Sequence, residues 1–136
     1  MIKKKESLDI LLVEDNPSDV YLIREILDEC GILGNLQIAI DGIEALDFLN
    51  RQGLSEKCSN PDIILLDLNL PKKNGFDVLN EIKSSPQLQN IPTIILTTSK
   101  DEDDMQRAFD LKADYYVVKP LDIEKCGNII KHLDII

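Results

Sequence analysis

The stretch LLVEDNPSDV, residues 11–20, joins an apolar run to two adjacent acids and then to a helix start. The apolar residues predict the end of a buried strand, and Glu14 and Asp15 follow it directly. Asn16 is a favoured helix N-cap, and Pro17 is a favoured first helical residue. The stretch therefore predicts a strand, a carboxylate-bearing turn and a helix in immediate succession.

Short apolar runs of this kind recur along the chain and indicate the fold class. They are rich in Ile, Leu and Val, are mostly unbroken, and occupy residues 8–13, 36–40, 61–67, 92–97 and 115–118. Such runs are typical of parallel strands covered on both faces. Helical segments follow them, so the order is βα repeated five times. Because five strands are too few for a closed barrel, we predict an α/β protein with an open, doubly wound five-stranded parallel sheet of order 2-1-3-4-5, a flavodoxin-like (βα)5 fold.

Local signals predict where helices start and end and which side chains they bury. Gly31 ends helix one. Ser99 and Glu102 have the spacing of a capping box, which predicts that Ser99 caps helix four. Ile43 of helix two and Phe109 of helix four are expected on buried faces.

The length and the cysteines limit the class of protein. The 136 residues fit one domain, with residues 1–7 as a short tail and no output domain expected after helix five. Cys30, Cys58 and Cys126 are odd in number and lack metal-ligand spacing, which predicts reduced thiols in a cytoplasmic protein. No signal peptide is expected, and no apolar run approaches the roughly 18 residues that a membrane helix needs.

The charge and the aromatic content argue against a nucleic-acid partner. The formal net charge is -10, whereas phosphate binding needs clustered Lys and Arg. Aromatic residues make up 4% of the chain and Trp is absent, so a stacking platform for bases is not expected.

The ends of the predicted strands carry the polar residues. Strand one ends in Glu14 and Asp15, strand three in Asp67, strand four in Thr97 and strand five in Lys119. In an open parallel sheet, ligands bind beyond the carboxyl ends of the strands at the switch in strand order. With order 2-1-3, strands one and three are neighbours there, so the three carboxylates should meet.

Three carboxylates at one place predict a bound cation. They repel each other, which raises a pKa or recruits a metal. Oxygen ligands of this kind suit Mg²⁺, and zinc is disfavoured because no Cys or His lies at these strand ends. A metal beside a carboxylate, a hydroxyl and an ammonium is an arrangement for phosphoryl transfer, in which an Asp can itself be the nucleophile.

Four motifs in this order resemble the receiver domain of two-component response regulators, the CheY-like family. They are VEDN (13–16), LLDLNLPKKNG (65–75), LTTS (96–99) and YYVVKP (115–120). The resemblance covers essentially the whole chain. The loop at 53–60 and DLNLPKKNG also look like the small stand-alone regulators that partner phytochrome-type histidine kinases.

The resemblance implies a role for each metal-site residue. Asp67 matches the phosphoacceptor, Asp15 the direct Mg²⁺ ligand, and Glu14 the second acid, which acts through a bound water. Asn69 would offer its backbone carbonyl to the metal. Glu14 stands where many receivers have Asp, and the longer acid could change metal geometry or phosphate lifetime without abolishing the site.

The resemblance also implies switch residues. Thr97 matches the hydroxyl residue that closes on the phosphoryl group, and Lys119 matches the lysine that contacts it. The bond from Lys119 to Pro120 would be a cis peptide. Tyr116 matches the aromatic residue that turns inward on activation. From the residues alone, Thr97 could instead satisfy backbone groups, and Tyr116 could be strand packing.

The function expected is that of a stand-alone receiver. A sensor histidine kinase would transfer a phosphoryl group to Asp67 in the presence of Mg²⁺, and the domain would dephosphorylate itself without turning over an external substrate. A target or phosphotransfer protein would bind the face of helix four, strand five and helix five. No membrane partner is expected, and the apolar end, residues 132–136, could pack on the domain itself or on a second copy in a homodimer.

Two rival functions remain. A phosphatase of the haloacid dehalogenase type also uses a strand-end Asp with Mg²⁺, but it places an acid two residues later, where this chain has Asn69. A phosphate-independent binding module of the same fold would show no Mg²⁺ dependence and no effect of Asp67→Asn.

Overall fold

The computed structural model describes residues 7–52 and 60–133, in which strands and helices alternate. The strands are β1 (Leu8–Val13), β2 (Leu33–Ala39), β3 (Ile63–Leu66), β4 (Thr93–Thr97) and β5 (Tyr115–Val118). The helices are α1 (Pro17–Glu29), α2 (Gly42–Gln52), α3 (Gly75–Ser84), α4 (Glu102–Asp110) and α5 (Ile123–Leu133). The loop predicted at 53–60 lies outside the described residues except for Asn60. In the described ranges, no helix has the length and apolar character to cross a membrane.

The sheet has the predicted strand order and direction. Its order is β2-β1-β3-β4-β5. Every adjacent pair is parallel. The chain reverses its direction of travel across the sheet at β1, which pairs with both β2 and β3. The predicted α/β fold is therefore confirmed, and the switch in strand order lies between β1 and β3.

Unbroken apolar strands are explained by helices on both faces of the sheet. In β3, Ile64 and Leu66 belong to one apolar cluster, which includes Leu79 of α3. Ile63 and Leu65 belong to the other, which the helices α1 and α5 cover. All four β3 side chains are at most 1% exposed. Each such side chain contributes about 1.5–3 kcal/mol by leaving water, so the centre of the sheet is held firmly.

The edge strand β2 begins earlier than its apolar pattern predicts. It starts at Leu33, three residues before the predicted run at 36–40, and its first residues pair with Leu8 and Asp9. Asn35 donates from its side chain to Asp9 Oδ1 at 2.9 Å. An edge strand needs only one hydrogen-bonded neighbour, so Gly34 and Asn35 extend it without being apolar.

The helix start after β1 is as predicted, whereas the cap of α4 is not. Asn16 Oδ1 accepts the backbone amides of Ser18 and Asp19 at 2.9 and 3.3 Å. The prediction of Ser99 as the cap of α4 is wrong, because Asp101 takes that position and its carboxylate accepts the Asp103 amide at 2.8 Å. A carboxylate closer to the helix start is the stronger acceptor for its free amides.

Two side chains that were expected in the core lie at the surface. Ile43 is 49% exposed and Phe109 is 46% exposed. Each helix covers the sheet with a narrow stripe, and in α4 the residue before Phe109, Ala108, is the one that is fully buried. The ring of Phe109 instead lies near Tyr116, with centroids 6.4 Å apart.

Candidate functional site

Three carboxylates meet where β1 and β3 end. Val13 and Leu66 are partners in the β1–β3 register, and the Asp67 amide donates to the Val13 carbonyl at 3.1 Å. The residues that follow these two strand ends therefore emerge together. One oxygen each of Glu14, Asp15 and Asp67 lie within 4.8 Å of one another.

Burial makes it costly to keep the carboxylates of this cluster ionised. Glu14 is 1% exposed and Asp67 is 6% exposed, whereas Asp15 faces solvent. Burial raises the pKa of Glu14, a hydrogen bond from Lys119 opposes that rise, and the charge of Asp67 adds to it. Two buried acids at this separation require a cation to remain ionised together.

Lys119 supplies one cation to the site. Its ammonium donates to Glu14 Oε1, and it donates at 3.0 Å to both Asp19 Oδ2 and Asp67 Oδ2. Burial by itself would lower the pKa of Lys119, but the hydrogen bonds to the three carboxylates raise it above the ordinary lysine value. The lysine is therefore charged throughout the physiological pH range. The peptide bond from Lys119 to Pro120 is cis.

The sequence interpretation did not include Asp19 in the site. It lies in the first turn of α1, three residues after the cap Asn16. A usable signal was present, because the helix that follows strand one must begin at the carboxyl edge where the acids meet. An acid in the first turn of a helix also suits the helix dipole, so the sequence alone indicates no more than an ordinary surface charge at Asp19.

Backbone contacts hold the two buried acids in place. Asp67 Oδ1 accepts the Asn69 amide at 3.1 Å, and Glu14 Oε2 accepts the Asn16 amide at 3.3 Å. Asn69 itself is exposed, and the contact that ties it to the cluster runs through its amide. Each acid thus uses one oxygen for its own loop and offers the other to Lys119.

The loop after β3 returns so closely that only glycine fits at its end. The Gly75 amide donates to the Leu68 carbonyl at 2.9 Å. A Cβ atom at Gly75 would overlap the carbonyl oxygen of Asp67. Gly75 therefore fixes how α3 approaches the acid cluster.

We expect Gly75→Ala to lower the free energy of unfolding by about 1–3 kcal/mol, since the backbone must shift to relieve the overlap. Gly127, inside α5, is the matched control, because a Cβ there meets nothing within 4 Å. Gly127→Ala should raise stability by roughly 0.5–1 kcal/mol through helix propensity. Urea denaturation of the two variants measures both values. Equal effects of the same sign would contradict the claim that the backbone contact at Gly75 requires glycine.

Thr97 and Tyr116 both contact Ser99 at the rim of the site. Thr97 ends β4, is fully buried, and accepts the Ser99 amide on its hydroxyl oxygen at 3.5 Å. The Tyr116 hydroxyl donates to the Ser99 carbonyl at 3.0 Å, and partial burial raises the pKa of this phenol. Ser99 also donates to Asp104 of α4 at 2.7 Å. Ser99 thus links the end of β4 and the side chain of Tyr116 in β5 to α4, a role that the sequence interpretation missed.

The donor set fits a hard divalent cation. Carboxylate oxygens from Glu14, Asp15 and Asp67 are ligands that Mg²⁺ and Mn²⁺ accept, and the exposure of Asp15 leaves room for water ligands. A cation there would share Glu14 and Asp67 with Lys119.

A doubly wound sheet that brings three carboxylates and a lysine together at its switch point agrees with the receiver domain that the sequence motifs resemble. The chain belongs to the response regulator receiver domain family, which it matches over residues 10–131. It is 42% identical to the response regulator Rcp1 of Synechocystis sp. over 125 residues, which are 92% of this chain and 85% of that protein.

Solved structures agree with this assignment. The phosphorylated cyanobacterial phytochrome response regulator RcpA is 41% identical, with a TM-score of 0.78 over 94% of this chain and 91% of that one. The Mn²⁺-bound form of Rcp1 is 42% identical, with a TM-score of 0.74 over 92% and 90%. The receiver domain of the Pseudomonas aeruginosa histidine kinase PA1611, with magnesium coordinated in its active-site cleft, is 27% identical, with a TM-score of 0.76 over 92% and 95%.

Proposed function

We propose that residues 1–136 act as a single receiver that takes one phosphoryl group onto Asp67 from a histidine kinase, in a reaction that requires Mg²⁺. One observation carries the proposal. A buried, desolvated Asp67 carboxylate lies within 4.8 Å of two further acids and 3.0 Å from the Lys119 ammonium. This arrangement combines a nucleophile, a metal-ligand set and a fixed positive charge.

The proposed reaction forms one bond and breaks one. A carboxylate oxygen of Asp67 attacks phosphorus, the P–N bond to the kinase histidine breaks, and the imidazole leaves with the bonding electrons. Bound Mg²⁺, held by Glu14, Asp15 and Asp67, would neutralise charge on the phosphoryl oxygens. Lys119 stays protonated and supplies the protein's own positive charge to the same oxygens.

The kinase is proposed to be of the phytochrome type. The support is similarity to RcpA, which is a phytochrome response regulator, and to Rcp1. The output is proposed to be a target or phosphotransfer protein that binds the face built by α4, β5 and α5. Ser99 supports this choice, because it ties the site to α4 and to Tyr116 of β5.

The proposal is tested by intact mass after incubation with acetyl phosphate, with Mg²⁺ or with EDTA. One phosphoryl adduct that forms only with Mg²⁺ supports it. No adduct under either condition, with the fold intact, would favour the phosphate-independent module. A phosphatase would instead release many phosphates per chain from a phosphomonoester, and Asn69 offers no acid for that turnover.

We expect Thr97→Ala to accept the phosphoryl group but to lose most of the response of α4. The Thr97 hydroxyl is the group that would follow the phosphoryl oxygens and pull on Ser99. Amide hydrogen exchange across residues 102–110, with and without beryllium fluoride as a phosphoryl mimic, measures the response. Thr97→Ser is the matched control, since it keeps the hydroxyl. A full response in Thr97→Ala would rule out this role.

A further inference from the structure

Asp19 contacts the site lysine without being part of the acid cluster. Its Oδ2 lies 3.0 Å from Lys119 Nζ, the same distance as Asp67 Oδ2. Among the described residues, the group of three carboxylates whose oxygens all lie within 4.8 Å of one another consists of Glu14, Asp15 and Asp67 and does not include Asp19. Asp19 therefore reaches the ammonium from outside the cluster, from the first turn of α1.

The ammonium of Lys119 has no donor to spare. A lysine ammonium carries three N–H groups, and three carboxylates accept from it here. A phosphoryl group on Asp67 would add new oxygens beside this nitrogen. Lys119 can then donate to the phosphoryl group only by giving up a present acceptor.

Asp19 is the acceptor whose loss costs least. Its side chain is 33% exposed, so water can replace the lysine, whereas Glu14 at 1% exposure has no such substitute. Asp19 is also held firmly, because its amide donates to the cap Asn16 and its backbone belongs to α1. Asp19 is therefore an acceptor on a fixed backbone that competes with other acceptors for the Lys119 ammonium.

We propose that Asp19 is a positioning residue that retains Lys119 on the α1 side of the site and competes with the phosphoryl group for its ammonium. The proposal rests on the proposed function of Asp67 as phosphoacceptor. If Asp19 competes in this way, its carboxylate lowers the affinity of the domain for a phosphoryl group.

The test measures the dissociation constant of beryllium fluoride, in the presence of Mg²⁺, for the wild type and Asp19→Asn. We expect Asp19→Asn to bind roughly three- to fivefold more tightly, the scale of one partly exposed ion pair. Asp19→Glu keeps a carboxylate within reach and should bind within about twofold of the wild type. Thermal melting confirms that each variant is folded.

Two control variants separate this mechanism from simpler ones. Asp77 occupies the same position in α3, three residues after the cap Asn74, so Asp77→Asn tests the loss of a first-turn acid. Glu25 lies on α1 and lines the groove that contains Asp19 and Lys119, so Glu25→Gln tests the loss of nearby charge. Both should bind as the wild type does.

The affinities of these variants for beryllium fluoride distinguish the role of Asp19 from the function of Asp67. No gain in Asp19→Asn, or an equal gain in Glu25→Gln or Asp77→Asn, would overturn the role of Asp19. A wild type that neither binds beryllium fluoride nor forms the Mg²⁺-dependent adduct would overturn the proposed function, and with it this inference. Binding in the wild type with no change in Asp19→Asn would leave the proposed function intact and remove only the positioning role.

Discussion

Asp67→Asn is expected to form no phosphoryl adduct from acetyl phosphate and Mg²⁺ under conditions in which the wild type is fully converted. The variant keeps the shape of the side chain but replaces a charged carboxylate with a neutral amide, which is a far weaker nucleophile. The rate should fall by at least about a hundredfold, since no neighbouring acid is held in the same position. Intact mass against time measures it directly.

The matched control for this variant is Asp41→Asn. Asp41 is also buried, at 5% exposure, and follows the edge strand β2 at the same side of the sheet. Its carboxylate accepts the Glu44 amide at 2.7 Å at the start of α2, a cap that Asn can replace. This variant should take up phosphoryl at the wild-type rate. An adduct on Asp67→Asn at the wild-type rate would remove Asp67 from its role.

The fold was predictable where burial determines the sequence. Strand β1 has the predicted bounds, Leu8–Val13, because a strand inside the sheet is a continuous apolar run. The edge strand β5 also has the predicted bounds, Tyr115–Val118, although only Val117 of it is buried. Gly34 and Asn35 of β2 could not be recognised, since an edge strand is held by backbone bonds that any residue makes. Periodicity likewise cannot say how wide a stripe each helix buries, and this is why Phe109 was misplaced.

The site was predictable as far as strand ends determine it. Parallel order alone brings Glu14, Asp15 and Asp67 to one edge, and the structure places Lys119 with them. Asp19 and Ser99 were not predicted as site residues, because their contacts depend on how the start of a helix is rotated and on the path of a loop. Such features follow from three-dimensional packing, which the residue order along the chain does not express.

Lys119→Met is expected to lower the free energy of unfolding at neutral pH, without divalent cations, by roughly 2–4 kcal/mol. The loss of the ammonium leaves Glu14 and Asp67 buried and mutually repelling. The effect should stay below the full penalty for a buried pair because Asp19 can turn to water. Urea denaturation in the presence of EDTA gives the value.

The control for this variant is a lysine near the start of α5, next to the loop that carries Lys119. Lys125 donates to the carbonyls of Val118 and Pro120 at 2.8 and 2.9 Å, so Lys125→Met removes hydrogen bonds without stranding the acids of the cluster. Its cost should be about 1 kcal/mol. The double variant Glu14→Gln/Lys119→Met should recover more than half of the loss, since it removes the most deeply buried of the stranded acids.

Magnesium distinguishes an electrostatic role of Lys119 from a packing role. A dication held by the acid cluster neutralises the same carboxylates that the ammonium does, and any ion that binds only the folded state stabilises it. Mg²⁺ should therefore stabilise Lys119→Met more than the wild type, where it must share Glu14 and Asp67 with the lysine. Equal stabilisation of both proteins by Mg²⁺ would mean that the lysine contributes through its packed side chain, and that the acids tolerate one another without it.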